Sequence, residues 1–182
     1  MNLIEKTKHY FLARKVKKYI SSKKRIIKLK EFDDIRTVGV LFDASDEDKY
    51  KRAAHLIRHM QSLNKKVNAI GLIKQKEDPH YLDNALSYNY IRIKDLNWFY
   101  FAKKEFVDDF INSEFDLLID LNFEKHASLR FITQSSMAHC KFGLNQGEDD
   151  KIYDFMLEGI PPDNMSMFLK QLLHYLELIK IK

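Results

Sequence analysis

From about residue 37 onward, apolar runs of strand length alternate with stretches whose apolar residues recur every three or four positions. That alternation constrains the chain more than any other feature, because strands separated by helices pair in parallel and bury their sheet between helical layers. TVGVLFD, 37–43, opens the series as a strand. Ser45, with Asp48 three residues on, reads as the N-cap of a helix over about 46–63, in which Tyr50, Ala53, Ala54, Ile57, Met60 and Leu63 share a face. VNAIGLI, 67–73, is the second strand; a polar loop with Pro79, a short helical piece near 79–87 and a third strand at YIRI, 90–93, follow. Phe106, Val107, Phe110 and Ile111 mark a helix over 103–113. FDLLIDLN, 115–122, is almost continuously apolar and is therefore predicted to be a central strand buried on both faces. A helix at about 125–137, a strand CKFGLN at 140–145 and a last strand IYDFMLEG at 152–159 complete the sheet. Pro161 and Pro162 break the chain before Asp163 or Asn164 caps a closing helix carrying Met165, Phe168, Leu169, Leu172, Leu176 and Ile179 on one face. The expected fold is α/β: three layers, with a mostly parallel Rossmann-like sheet and flanking helices. Gly39, Gly71 and Gly143 fall inside predicted strands, where glycine serves close packing.

A length of 182 residues suits one domain, and 5 Gly and 3 Pro leave little room for linkers. The single cysteine, Cys140, has no internal disulfide partner and lies in an apolar stretch, so it reads as a small buried hydrophobe in a reducing compartment. No apolar run approaches the ~18 residues that span a bilayer, and the N-terminus lacks the pattern of a signal peptide, so a cytoplasmic location is expected. The net charge of +5 is unevenly spread. Residues 1–30 carry 11 Lys or Arg against one acid, Glu5, a net +10, whereas residues 31–182 carry 20 basic and 25 acidic residues, a net −5. The organisation read from this is a basic amphipathic helix over 1–30 followed by one α/β domain over 31–182.

The chain contains no GxGxxG, GxxxxGK[ST], GxSxG, HExxH or CxxC, so no catalytic residue, metal ligand or cofactor is assigned. The turn after the first strand reads DASDEDK, whose acidity opposes phosphate. His55 and His59 stand four apart on a helix among Lys51, Arg52 and Arg58, which makes a solvated face the better reading than a metal site. His126 and His139 flank the helix after the central strand without an evident acid partner. Ligands of doubly wound folds sit beyond the strand C-termini, and the candidates there are Asp43, Ser45, Asn122, Asn145 and Gln146. The same residue types also serve loops and caps. Asp116 and Asp120 share one face of the central strand, and Asp120 is placed to accept from a neighbouring loop.

FDLLIDLNFEKHASLRFITQSSMAHCKFGL, followed by YDFML and a C-terminal helix, resembles a small Bacteroidota family described only as a domain of unknown function. The resemblance covers most of the chain and implies fold and lineage. About thirty residues of the same stretch are also similar to the N-terminal domain of heptosyltransferase-type glycosyltransferases, which hold their nucleotide sugar with a second Rossmann-like domain. The length leaves no room for that second domain, so a shared fold is expected and a complete glycosyltransferase is not.

Function is therefore sought first in the basic segment. Lys6, Lys8, Arg14, Lys15, Lys17, Lys18, Lys23, Lys24 and Arg25 can neutralise phosphates, and Tyr10, Phe11 and Tyr19 are interleaved with them, a pattern that suits RNA or the ribosome. On a helical wheel Ile4, Phe11, Leu12, Val16, Tyr19 and Ile20 form an apolar sector opposite Lys6, Arg14, Lys17 and Lys18. A helix of this kind also suits an anionic membrane surface or a protein partner, and it can equally pack on its own domain with its lysines solvated. A small-ligand or enzymatic site at the strand ends is the remaining alternative.

Overall fold

Val38, Val40 and Phe42 of β1 (Thr37–Asp43) belong to one core, and Leu41 between them belongs to the other, so the strand is buried on both sides. The computed structural model describes residues 7, 10, 11, 14, 16, 17, 24–98, 100–145, 152–161 and 164–180. After β1 come α1 (Glu47–Ser62), β2 (Lys66–Ile73), β3 (Tyr88–Arg92), α2 (Glu105–Asn112), β4 (Leu117–Asp120), α3 (Ala127–Ser135), β5 (Lys141–Leu144), β6 (Phe155–Leu157) and α4 (Met165–Leu178). The six strands pair in the order β3-β2-β1-β4-β5-β6, and every neighbouring pair is parallel. The apolar faces of α1 and α4 cover one side of the sheet, and those of α2 and α3 cover the other. The three-layer α/β architecture expected from the sequence is the one found.

β4 is the central strand: Leu117 and Ile119 face α1 and α4, and Leu118 faces α2 and α3. Its length is shorter than the apolar run that announced it, since pairing is confined to four residues. The sixth strand is likewise three residues rather than the eight of 152–159, because Tyr153 and Asp154 turn their side chains into other bonds.

Two local expectations are corrected. Residues 79–87 form turns and not a helix: the Asp83 carboxylate accepts from the Ala85 amide, and the Tyr81 hydroxyl donates to the Ala44 carbonyl at 3.1 Å. Tyr50, Tyr81, Tyr88 and Phe42 form an aromatic cluster where a crossover helix would lie, with the Tyr50 and Tyr81 centroids 5.3 Å apart. The cap of α1 is Asp46, which accepts from the Lys49 amide at 2.9 Å, and not Ser45. Asn164 caps α4 through the Met167 amide, while Asp163 lies outside the described residues.

Gly143 shows why a strand interior tolerates glycine here. A Cβ at this position would overlap the Tyr153 ring, which crosses β5 to reach Asp120. Cys140 is buried, and burial pushes its thiol up to about 12, so it packs as a hydrophobe.

At the N-terminal edge of the sheet, Asp116 accepts from the amides of Arg36 at 2.8 Å and Thr37 at 3.0 Å and pairs with Lys30 Nζ at 2.6 Å. Burial alone raises this carboxyl, but Lys30 and the two amides outweigh it and bring it down to about 2. Its folded value lies below its unfolded one, so its stabilisation is present above about pH 4 and fades as the pH falls toward about 2. Asp116→Asn is expected to cost about 2 kcal/mol at neutral pH and to flatten the loss of stability between those values, measured by urea unfolding at a series of pH values. Leu118→Ala or Ile119→Ala is expected to cost about 2 to 5 kcal/mol in the same assay, because a fully buried central strand cannot collapse around the cavity.

Candidate functional site

In this strand order the chain leaves β1 toward β2 on one side, and β4 lies on the other, so the connections after β1 and β4 diverge and open a crevice between them. Asp43 ends β1, Lys74 follows β2, and Glu124 and His126 follow β4. These side chains meet. Lys74 Nζ lies 2.8 Å from Asp43 Oδ2 and 3.3 Å from Glu124 Oε2, and Lys49, from the first turn of α1, donates to Glu124 Oε1 at 2.8 Å. His126 Nε2 lies 3.5 Å from Asp43 Oδ2 and 3.4 Å from Glu124 Oε2.

Asp43 is buried, and its other oxygen accepts from the Ser45 amide at 2.9 Å. Burial on its own raises the carboxyl, yet His126, Lys74 and the Ser45 amide together hold it far below the usual carboxylate range. Ser45 in turn donates to the Leu72 carbonyl at 3.2 Å and accepts from the Lys74 amide at 2.8 Å. Those two bonds tie the end of β1 to the end of β2, which is why Ser45 does not cap the helix. Burial lowers the Lys74 amine, but its two carboxylate partners outweigh that and leave it raised.

The other expected pocket residues do not join this group. Asn122 is buried and gives both its backbone amide and its side-chain amide to Asp120 Oδ1. Asn145 donates to Glu158 Oε1 at 2.8 Å, beside the end of β6. Gln146 lies outside the described residues. Asp120 is an acceptor for the fold itself: Thr133 Oγ1 of α3 and the Tyr153 hydroxyl each donate to its Oδ2 at 2.8 Å. Sequence reasoning missed Glu124, Lys74 and Lys49, and it found no acid partner for His126. The only signal was topological, since residues after β1, β2 and β4 become neighbours once those strands pair side by side.

In the basic segment the described residues divide by environment. Val16 is helical and 7% exposed, inside the core formed with α2 and α3. Tyr10, Phe11, Arg14 and Lys17 are helical and exposed, so Phe11 faces outward although the wheel placed it in the apolar sector. Lys24 is exposed, and residues 24–30 are not helical. Arg25 is held by the fold: its Nε donates to the Ala138 carbonyl at 2.6 Å and its guanidinium clasps the Asp154 carboxylate. Lys6, Lys8, Lys15, Lys18 and Lys23 lie outside the described residues. Val16, Arg25 and Lys30 thus carry contacts across the division at residue 30.

Among the described residues no helix is long and apolar enough to cross a membrane. A family model described as a family of unknown function (DUF6913) matches residues 8–179, and the chain belongs to that family. No curated protein and no solved structure matches it.

Asp120 has lost its hydration and relies on the donors around it. Thr133→Val or Tyr153→Phe is expected to lower stability by about 1 to 3 kcal/mol, and the double variant by more than either, as read from thermal and urea unfolding.

Proposed function

We propose that this member of the family is a non-enzymatic cytoplasmic module that docks on structured RNA, ribosomal RNA foremost, through the exposed side of its N-terminal segment. The observation that carries this reading is the division along that segment. Val16 anchors it in the core, while Tyr10, Arg14 and Lys17, spaced as one helical stripe, face water with Tyr10 at 64% exposure.

A stripe that alternates cations with an uncovered aromatic ring has the two features that bind RNA without reading sequence. Cations neutralise phosphates and release counterions, and a ring stacks on an unpaired base. The charge division supports the same segment, because residues 1–30 carry a net +10 against a remainder of net −5. Anchoring helps as well: a helix already seated on the domain loses less freedom on binding than a free one.

Exposed Phe11, at 43%, also suits insertion into an anionic lipid surface, and the two readings separate by experiment. The full chain is titrated into fluorescently labelled ribosomal RNA fragments and into vesicles of anionic and neutral lipid over a series of salt concentrations. Affinity for RNA is expected to fall steeply with salt, and Arg14→Glu with Lys17→Glu to weaken it at least about tenfold without shifting the melting temperature. Tyr10→Ala is expected to weaken RNA binding at every salt concentration. Binding to anionic vesicles that RNA does not compete with, or no RNA binding at low salt, overturns the proposal.

A further inference from the structure

Three lone-pair-bearing atoms converge in the crevice between β1 and β4. One ligand atom each from Asp43, Glu124 and His126 lies within 4.8 Å of the other two. The separations from His126 Nε2, 3.5 Å to Asp43 Oδ2 and 3.4 Å to Glu124 Oε2, exceed a good hydrogen bond. They match instead the roughly 3.4 Å between donor atoms that share one tetrahedral ion at about 2.1 Å each.

Burial makes the arrangement unusual. Asp43 is 4% exposed and its Oδ2 pairs with Lys74 Nζ at 2.8 Å, while His126 Nε2 is closed off from water without a hydrogen-bond partner among the described residues. Buried polar atoms are nearly always satisfied, so an unsatisfied His126 Nε2 that faces two carboxylates points to a ligand shared with them. The remaining oxygens are held back from the convergence point: Asp43 Oδ1 accepts from the Ser45 amide, and Glu124 Oε1 accepts from Lys49. Outer bonds of this kind orient metal-binding carboxylates.

We propose that Asp43 Oδ2, Glu124 Oε2 and His126 Nε2 bind a divalent first-row transition-metal ion such as zinc. An imidazole with two carboxylates favours such an ion over the all-oxygen shells of calcium and magnesium. Three protein ligands leave a coordination position open to water or to an anionic group. Lys74 supplies the compensating positive charge when no ion is bound. Its side chain is 35% exposed, so it can turn to solvent as the ion enters. Displacing it weakens the site, and with Lys49 it stays close enough to meet an anion on the open position.

The full chain is titrated with zinc chloride by calorimetry, with stoichiometry checked by equilibrium dialysis. One equivalent is expected to bind. Glu124→Gln and His126→Ala are each expected to weaken it at least about tenfold, since loss of an outer-shell partner alone typically costs 10 to 100-fold. Lys74→Met is expected to bind zinc more tightly than the wild type. Glu124 is half exposed, so Glu124→Gln should melt as the wild type does and keeps the test free of misfolding. No zinc binding by the wild-type chain, or binding that Glu124→Gln and His126→Ala both leave intact, overturns the proposal.

Discussion

A strand buried on both faces has nowhere to hide a charge, and β4 is flanked by one carboxylate at each end. Asp116 and Asp120 are both desolvated, and each is tolerated because several donors converge on it. The donors to Asp116 come from the entry to β1 and from Lys30; those to Asp120 come from the loop after β4, from α3 and from the β5–β6 connection. The two carboxylates therefore fasten both ends of the central strand to segments distant in sequence. Tyr153 reaches Asp120 only by lying over Gly143, so the glycine in β5 is part of the same arrangement.

The crevice beyond β1 and β4 follows from that strand order. Read along the chain, the turn after β1 is acidic and opposes phosphate. In the folded protein Lys74 and Lys49 meet Asp43 and Glu124 there, so the local charge is balanced by residues that the turn does not contain. The balance depends on pairing: β2 brings Lys74 to one side of Asp43, and β4 brings Glu124 and His126 to the other.

Among its described residues, the N-terminal segment is joined to the domain by chemically different contacts, three of them from side chains set apart along it. Val16 contributes apolar burial, Arg25 forms a forked ion pair with Asp154, and Lys30 reaches Asp116. Arg25 and Lys30 are thus structural members of a run that composition alone marks as one basic block. Arg14 and Lys17, three residues apart on the outer side, are exposed to water. The division reflects geometry, since neighbours on a helix surface are three or four positions apart and not adjacent in sequence.

Periodicity settled the layers without help. An apolar run such as Leu117, Leu118 and Ile119 has nothing polar to offer water on either face, so it had to be a strand covered on both sides, with helical stripes such as those of α1 and α2 covering it. The turns at 79–87 were not legible, because Tyr81 and Tyr50 meet only after α1 has packed, and that aromatic contact replaces a helix. Asn122 and Asn145 looked like site residues by type, but their amides are taken by Asp120 and Glu158. Sequence by itself determined which segments are strands and helices and which faces are buried, since those depend on local pattern and solvent exclusion. Only the tertiary structure decided that Asp43, Lys74, Glu124 and His126 share one point, because that depends on the lateral order of strands, which leaves no trace in the spacing of residues along the chain.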